Sequence, residues 1–167
     1  MWFRRGGRAP GARSMKFEAR RHNFDNGGTR MSQDTKYDRG IEIMNEIHGS
    51  GSLARIGNPI SEISPDFFKF VVETGFADVY GRPDLSHQQR QLINVAVLTA
   101  LGDTEKLLTA HMRGALHVGV SPAEIIEAIF HVSIYAGHPR TIRGLDVAKA
   151  VFAAKGIAIP LEGNDSE

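Results

Sequence analysis

The sequence predicts an all-α protein, a bundle of about six helices, from three observations. Apolar residues recur about one helical turn apart over most of the chain after residue 31. Several of these stretches begin with a serine cap and end with a glycine. Only KFVVETG and KGIAIP resemble strands, and neither has a second run with which it could pair.

Two helices are expected in the first half of the chain. Asp34 is the expected N-cap of the first helix, and Gly49 ends it. Ser64 followed by Pro65 is a cap-and-proline start for the second helix, DFFKFVVETG. The side chains of this second helix are apolar almost all round, so we expect it to be deeply buried.

A turn-rich link, GFADVYGRPDL, is expected to separate these helices from the next two. Ser86 caps the third helix, which ends at Gly102. Asp103 begins the fourth helix, which ends at Gly119.

The fifth and sixth helices complete the predicted bundle. The sequence SPAE at 121–124 is a capping box with proline inside it, and the helix that it begins ends at Gly137. The sixth helix follows His138 and ends at Gly156. The stretches LINVAVLTAL and IIEAIFHVSIYAG contain too few polar residues for a small monomer to cover, so we expect a homo-oligomer.

Basic residues are concentrated near the start of the chain, although the net charge is only +1. Residues 1–30 hold eight Lys and Arg against two acidic residues, whereas the remainder holds twelve against seventeen. The mildly acidic remainder gives no reason to expect a nucleic-acid partner. We expect a basic extension over 1–30 that is disordered or precedes the true start at Met31, one domain over 31–160 and a polar tail over 161–167.

The composition excludes several classes of protein. The chain has no cysteine, so it forms no disulfide, thiolate metal site or thiol redox centre. The longest apolar stretch, Leu92–Leu101, is too short for a bilayer, which needs about 20 residues. The first residues lack the apolar core of a secretory signal, although their Arg-rich composition resembles a transit peptide. We expect a cytoplasmic protein with no membrane partner.

The stretch HMRGALHVGV contains the first candidate site. Small residues follow His111 at one and two turns, Ala115 and Gly119, and leave room beside its imidazole. Either the histidine is half-buried and bound to a backbone carbonyl, or it is a general acid/base, since its ordinary pKa of ~6.5 allows proton exchange at neutral pH. Arg113 and His117 are further candidates for the wall of a pocket.

Other polar residues allow more than one interpretation. Arg90, at the edge of an apolar helix, either extends to solvent or binds a carboxylate. Asp78 is either a solvated turn residue or a partner that orients an imidazole. Tyr135 lies one turn after His131, and the ring of His138 is fixed by the proline that follows it. No H-x-x-x-H or H-E-x-x-H spacing occurs, so we predict no metal site.

Two stretches together resemble the carboxymuconolactone decarboxylase family: GRPDLSHQQRQLINVAVLTALGDTEKLLTAHMRGALHVGVSPAEI and YAGHPRTIRGLDVAKAVF. The family pattern has an arginine opening an xLxxLAxLxALG helix, then H-x-R-x-A-L-x-x-G-V-[ST]-x-x-E-[IL], then Y-x-G-x-P. The upstream YDRGIEIMNEIHG matches the family's opening motif, and the resemblance covers roughly residues 35–155.

The resemblance implies an alkylhydroperoxidase-D-like helical fold that assembles as trimers or hexamers. It also implies decarboxylation of a carboxylated muconolactone in aromatic catabolism, with no metal or organic cofactor. The unsaturated lactone can accept the electron pair left by CO2 as a dienolate, so the protein has to desolvate the carboxylate, stabilise the oxyanion and deliver a proton. By resemblance His111 transfers the proton, Arg90 holds a carboxylate or oxyanion, and Asp78 stands where the decarboxylase has a glutamate.

Several positions depart from the family pattern and favour a different lactone or a β-keto-type acid as substrate. His117 and Val118 replace two amides, His138 replaces an apolar residue or tryptophan, and Tyr80 replaces a tryptophan. The candidates for substrate binding are Tyr80, Arg113, His117, Tyr135 and His138.

Three functions remain open. The first is a cofactor-free lyase acting on a carboxylated lactone or similar small acid. The second is a lactone hydrolase, in which His111 activates water and Arg90 holds the carbonyl oxygen. The third is a non-catalytic oligomeric binding protein. Thiol peroxidase activity is not expected. The alkylhydroperoxidase-D-like branch of the superfamily has two cysteines at the positions that Thr104 and Leu107 occupy in this chain.

Overall fold

The computed structural model describes residues 35–159, which form seven α-helices and two π-helical segments. This part of the chain has no strand, which confirms the all-α class, and none of its helices is long and apolar enough to cross a bilayer. The predicted extension over 1–30, Met31, Asp34 and the tail over 161–167 lie outside the described residues. The elements are α1 Lys36–His48, the first π segment Leu53–Gly57, α2 Asn58–Ser61, α3 Pro65–Phe70, the second π segment Val71–Tyr80, α4 His87–Leu101, α5 Glu105–His117, α6 Pro122–Ala136 and α7 His138–Ala154.

Side-chain caps begin α1, α4 and α6. Thr35, Ser86 and Ser121 each accept a hydrogen bond from the backbone N–H three residues later, and the side chain at that position returns to the cap. The predicted starts at Ser86 and Ser121 are confirmed. The cap of α1 is Thr35, because it forms this reciprocal pair with Asp38.

Two hydrophobic cores hold the helices together. The larger core is shared by α4, α5, α6 and α7, and includes the buried side chains of Met112 and Phe152. The smaller core joins α1 to α3 and the second π segment through Met44, Phe68 and Val72. Burying a side chain of this size contributes about 1.5–3 kcal/mol, so these contacts fix where α1 meets the rest of the fold.

The second predicted helix is longer and less buried than expected. Phe68 is buried, but Phe67 and Phe70 are 55% and 59% exposed, so the prediction of deep burial is wrong. The physical reason is that α1 and α2 cover only part of the helix surface. The helix also continues through Val71–Tyr80 in π geometry, so most of the predicted link GFADVYGRPDL is helical.

Two further boundaries differ from the prediction. A helical stretch, Leu53–Gly57 followed by Asn58–Ser61, was not predicted between α1 and α3. Pro59 is the second residue of Asn58–Ser61 and directly follows the end of the π segment. Asp103 does not begin α5, because it lies in the preceding turn with φ of 53° and its carboxylate accepts a hydrogen bond from Arg143 at 3.0 Å.

Candidate functional site

A group of polar and aromatic side chains lies where α1, α4, α5 and the second π segment meet. It consists of His48, Tyr80, Gln91, Asn94 and His111, and we call it the imidazole–amide cluster. Helix α4 supplies both amides, which lie three positions apart and so share one face of the helix. Gln91 is completely buried, although amide side chains are mostly exposed in proteins.

The two amides fix the orientation of the His111 ring. Nδ1 of His111 lies 3.0 Å from Gln91 Oε1 and 3.2 Å from Asn94 Nδ2. Gln91 Oε1 can only accept, so in the tautomer that donates to it Nδ1 bears the proton and Nε2 is the basic nitrogen; Asn94 Nδ2 can only donate, so it bonds to Nδ1 in the other tautomer. Burial lowers the pKa of His111 below its ordinary value of 6.5, so the ring is neutral at pH 7.

Tyr80 lies at the other end of the amide pair. Its hydroxyl accepts hydrogen bonds from Asn94 Nδ2 and, at 3.4 Å, from Gln91 Nε2. Burial raises the pKa of Tyr80, so its hydroxyl keeps its proton at neutral pH. The guanidinium carbon of Arg90 lies 6.0 Å from the centroid of the Tyr80 ring, and its Nη2 donates to the Arg82 carbonyl at 3.0 Å.

His48 is a second imidazole in the cluster, and it was not predicted from the sequence. Its ring centroid lies 5.7 Å from that of His111 and 6.1 Å from that of Phe76, both in edge-to-face arrangements. Gly114 allows this approach, since a Cβ atom there would lie 2.9 Å from His48 Nδ1. Burial, followed by the charges of nearby basic groups, lowers the pKa of His48 from 6.5 to about 4.

A cavity of about 440 Å³ adjoins His48. This volume suits a small organic ligand. Apolar side chains such as Ile56 and Leu107 form much of its wall, and no acidic side chain of the described residues lines it. His111 is not part of the lining, so His48 is the imidazole that borders this cavity. The charged lining residues are Arg55, Lys106 and Arg113.

The structure brings several predicted site residues into one neighbourhood. His111 and Tyr80 belong to the imidazole–amide cluster, and Arg90 lies against Tyr80. Arg113 lines the adjoining cavity. His117 is exposed at the end of α5, and its ring packs beside the glycine that follows α1.

Three further predicted site residues neither belong to the cluster nor line the cavity. Asp78 forms an ion pair with Lys36 at 2.5 Å, and its side chain is 52% exposed. Tyr135 is 82% exposed and packs against His131, with ring centroids 5.7 Å apart. His138 is exposed at the first residue of α7. Their roles in catalysis or substrate binding stay predictions.

Gln91, Asn94 and His48 were not predicted as site residues, and the sequence indicates some of them better than others. Asn94 interrupts the apolar run LINVAVL, which indicates a polar role, whereas Gln91 continues the polar start HQQRQ and gives no such signal. His48 gives no such signal, because only folding brings the end of α1 against α5. The sequence predicted open space beside His111 at Ala115. Ala115 is instead buried in the larger core, and it is Gly114 that leaves space, which the His48 ring occupies.

No group of three or more His, Cys, Asp or Glu side chains forms a potential metal site within residues 35–159. The candidate site consists of two imidazoles, two amides, a phenol and the adjoining basic cavity.

Comparison with known proteins places the chain in a family. The family model for the carboxymuconolactone decarboxylase family matches residues 65–150. The chain is 33% identical over 128 residues to 4-carboxymuconolactone decarboxylase of Acinetobacter baylyi, an alignment that covers 77% of this chain and 95% of that protein. It is 28% identical over 114 residues to nitrosuccinic acid decarboxylase of Metarhizium robertsii, covering 68% of this chain and 78% of that protein. The chain belongs to the carboxymuconolactone decarboxylase family.

Proposed function

We propose that this protein is a cofactor-independent carboxy-lyase that removes CO2 from a carboxylated lactone or a related small unsaturated acid. The observation that supports this most directly is the cavity of about 440 Å³, whose charged lining is basic and which borders the imidazole–amide cluster. Two relatives in the family are named as decarboxylases of carboxylic acids, 4-carboxymuconolactone and nitrosuccinic acid.

The cavity offers two contributions to such a reaction. Arg113 and Lys106 can each bind a carboxylate, and arginine can do so through two parallel hydrogen bonds. The apolar part of the wall would lower the hydration of a carboxylate bound beside it, which favours conversion of that charged group to neutral CO2. A substrate with a second anionic group would be anchored at one cation while the other carboxylate reacts.

The oxyanion formed during the reaction needs hydrogen-bond donors. Arg90, which the family resemblance assigns to a carboxylate or oxyanion, lies beside Tyr80. Its Nε has no hydrogen-bond partner among the described residues, but it is buried and Arg90 does not line the cavity, so this role rests on the family resemblance. We place Arg90 in this role as part of the proposal.

Proton transfer is assigned to the imidazole–amide cluster. Family resemblance implies His111, and the amide contacts hold its ring in one orientation. A neutral imidazole would also suit activation of water, so the lactone hydrolase is the second candidate function. The two candidates use the same site and differ in their products.

The test is product analysis with the full chain. Purified protein is incubated separately with 4-carboxymuconolactone and nitrosuccinate, and CO2 release and products are followed by mass spectrometry and NMR. We expect CO2 from at least one acid, a loss of about 100-fold or more in His111→Ala and a raised KM in Arg113→Ala. The control Lys149→Ala, at an exposed position on α7, should retain wild-type activity.

Other products would contradict the proposal. A hydroxy acid formed from the lactone without CO2 would identify a hydrolase. Binding of both acids with no turnover would identify a non-catalytic binding protein.

A further inference from the structure

We propose that His48 is the catalytic imidazole that meets the substrate, taking up a proton when an anion binds and giving it to the carbon that loses CO2. This inference rests on the proposed function, and it assigns the proton donor within the same site. His111 then acts as a positioning residue, whose ring the amides hold in edge-to-face contact with His48.

The positions of the two rings support this assignment. His48 borders the basic cavity, whereas His111 does not. Nδ1 of His111 is engaged by Gln91 and Asn94. No protein hydrogen bond holds a ring nitrogen of His48 in the described part of the chain, so His48 can bond to a ligand without breaking an existing contact.

The backbone around His48 is held in place independently of its ring. Arg55 donates to the His48 carbonyl at 2.7 Å and to the Ser50 carbonyl at 3.0 Å. These two bonds satisfy carbonyl groups at and just after the C-terminal end of α1. The ring is therefore presented from a fixed helix end, between Phe76 on one side and Gly114 on another.

The groups around His48 oppose a proton on its ring while the site is empty. Burial has the largest effect on its pKa, and the charges of His111, Arg55 and His117 act in the same direction. The second π segment presents the uncharged ring of Phe76. The other charged groups of the cavity wall are Lys106 and Arg113.

A bound carboxylate would favour the protonated form of the His48 ring over the neutral form. It compensates the cations of the cavity wall and places a negative charge near the ring, and an opposite charge within about 4–6 Å can raise a pKa by about 1–3 units. The negative end of the α1 dipole also favours an imidazolium at the last residue of the helix. Binding of the substrate anion is thus expected to charge His48.

The proposed step is balanced in atoms and charge. The bond between the substrate carbon and its carboxylate breaks, CO2 leaves, and the electron pair enters the conjugated carbonyl as an enolate. The His48 imidazolium then gives its proton to the carbon, which forms the new C–H bond and returns the ring to the neutral state. In the net reaction the carboxylate becomes CO2, and the proton taken up when the substrate binds becomes the hydrogen of the new C–H bond.

The first experiment measures protonation of His48 in the full wild-type chain without turnover. Histidine-labelled protein is titrated by NMR with and without succinate, a saturated dicarboxylate, and the His48 signal is assigned from the spectrum of His48→Gln. We expect the titration midpoint of His48 to rise by about one pH unit or more with succinate. A midpoint that succinate leaves unchanged overturns the inference.

The second experiment measures turnover of the acid that the wild-type protein decarboxylates. His48→Gln should lower kcat by about 100-fold or more with a small change in KM. The control Lys149→Ala removes a charged group at an exposed position of α7 outside the cavity, and it should stay within a few-fold of wild type.

The outcomes separate the two proposals. Wild-type CO2 release that His48→Gln leaves unchanged overturns this inference and leaves the proposed function standing. Absence of CO2 from both acids, with a His48 midpoint that still rises with succinate, overturns the proposed function and supports anion-coupled protonation of His48.

Discussion

Gln91 shows how a single buried amide can organise a site. It is completely buried, accepts from His111 Nδ1 at 3.0 Å and lies 3.4 Å from the Tyr80 hydroxyl. Each end of the amide thus bonds to a buried polar group that Asn94 also contacts. A polar side chain at this position is required by its neighbours and not by the helix, whose other inward residues are mostly apolar.

Replacing this amide should therefore destabilise the protein. Gln91→Leu keeps a similar volume but removes the hydrogen bonds to the His111 ring and to the Tyr80 hydroxyl, each of which contributes about 0.5–1.5 kcal/mol. Urea unfolding at neutral pH measures the change in the free energy of unfolding. The control Gln88→Leu, at an exposed position of the same helix, should change it by less than about 0.5 kcal/mol. Equal losses in the free energy of unfolding for the two variants would show that the hydrogen bonds of Gln91 do not stabilise the fold.

The lowered pKa of His48 predicts how stability depends on pH. The pKa is about 4 in the folded chain and near 6.5 when unfolded, so between these values the unfolded chain binds more protons. The free energy of unfolding should be highest above pH 6.5 and should fall as the pH drops to about 4, by about 3 kcal/mol from this group. His111, whose pKa is also lowered, acts in the same direction.

The measurement is urea unfolding of wild type and His48→Gln at a series of pH values across this window. The variant has no titratable group at the position, so its stability should vary less steeply with pH. Parallel curves for the two proteins would contradict the prediction.

At the scale of secondary structure, local chemistry predicted the helix starts better than the helix lengths. Ser86 and Ser121 are capping residues whose partners lie three positions later, so a short stretch of sequence contains the whole signal. The second π segment was missed because Gly75 and Gly81 are typical of turns. Its Val72 and Ala77 are buried, and this packing compensates the cost of about 1 kcal/mol for a glycine within a helix.

The packing of α7 depends on one glycine. Gly144 is buried, and a Cβ atom there would lie 2.8 Å from Thr99 Cγ2 on α4 and 3.1 Å from Ile129 Cγ2 on α6. Gly144→Ala should force these helices apart and destabilise the protein by about 1–3 kcal/mol. The control Gly75→Ala has space, since its nearest neighbour would be Val71 Cγ1 at 4.0 Å.

Thermal and urea unfolding of both glycine variants check this prediction. Gly75→Ala should be neutral or slightly stabilising, because alanine loses less conformational freedom on folding. A Gly144→Ala protein as stable as wild type would show that α7 can shift without loss of packing.

At the scale of the whole molecule, the sequence predicted the fold class and the family but only part of the site. The apolar periodicity and the caps are local, so they survive in the sequence as readable patterns. The contact between His48 and His111 joins α1 to α5 and depends on Gly114 leaving space, so it follows only from the tertiary packing. For Asp78 the sequence left open a solvated position or a place beside an imidazole, and only the tertiary packing brings it to Lys36 on α1.

The surface of α6 leads to the last prediction. Phe130 and Ile134 lie one turn apart on this helix and are 64% and 71% exposed, and Tyr135 beside them is 82% exposed. Apolar side chains grouped in this way are typical of protein–protein contacts. We propose that a second copy of this chain covers them, as the sequence led us to expect.

Ile134→Glu should therefore weaken self-association, because it places a charge where an apolar side chain contributes about 1.5–3 kcal/mol when buried. Size-exclusion chromatography with light scattering measures the mass. We expect a multimer for the wild type and a shift toward monomer for the variant, whereas Ala123→Glu, in the first turn of the same helix, should leave the mass unchanged. A wild-type protein that is monomeric at micromolar concentration would show that this face has another occupant or none.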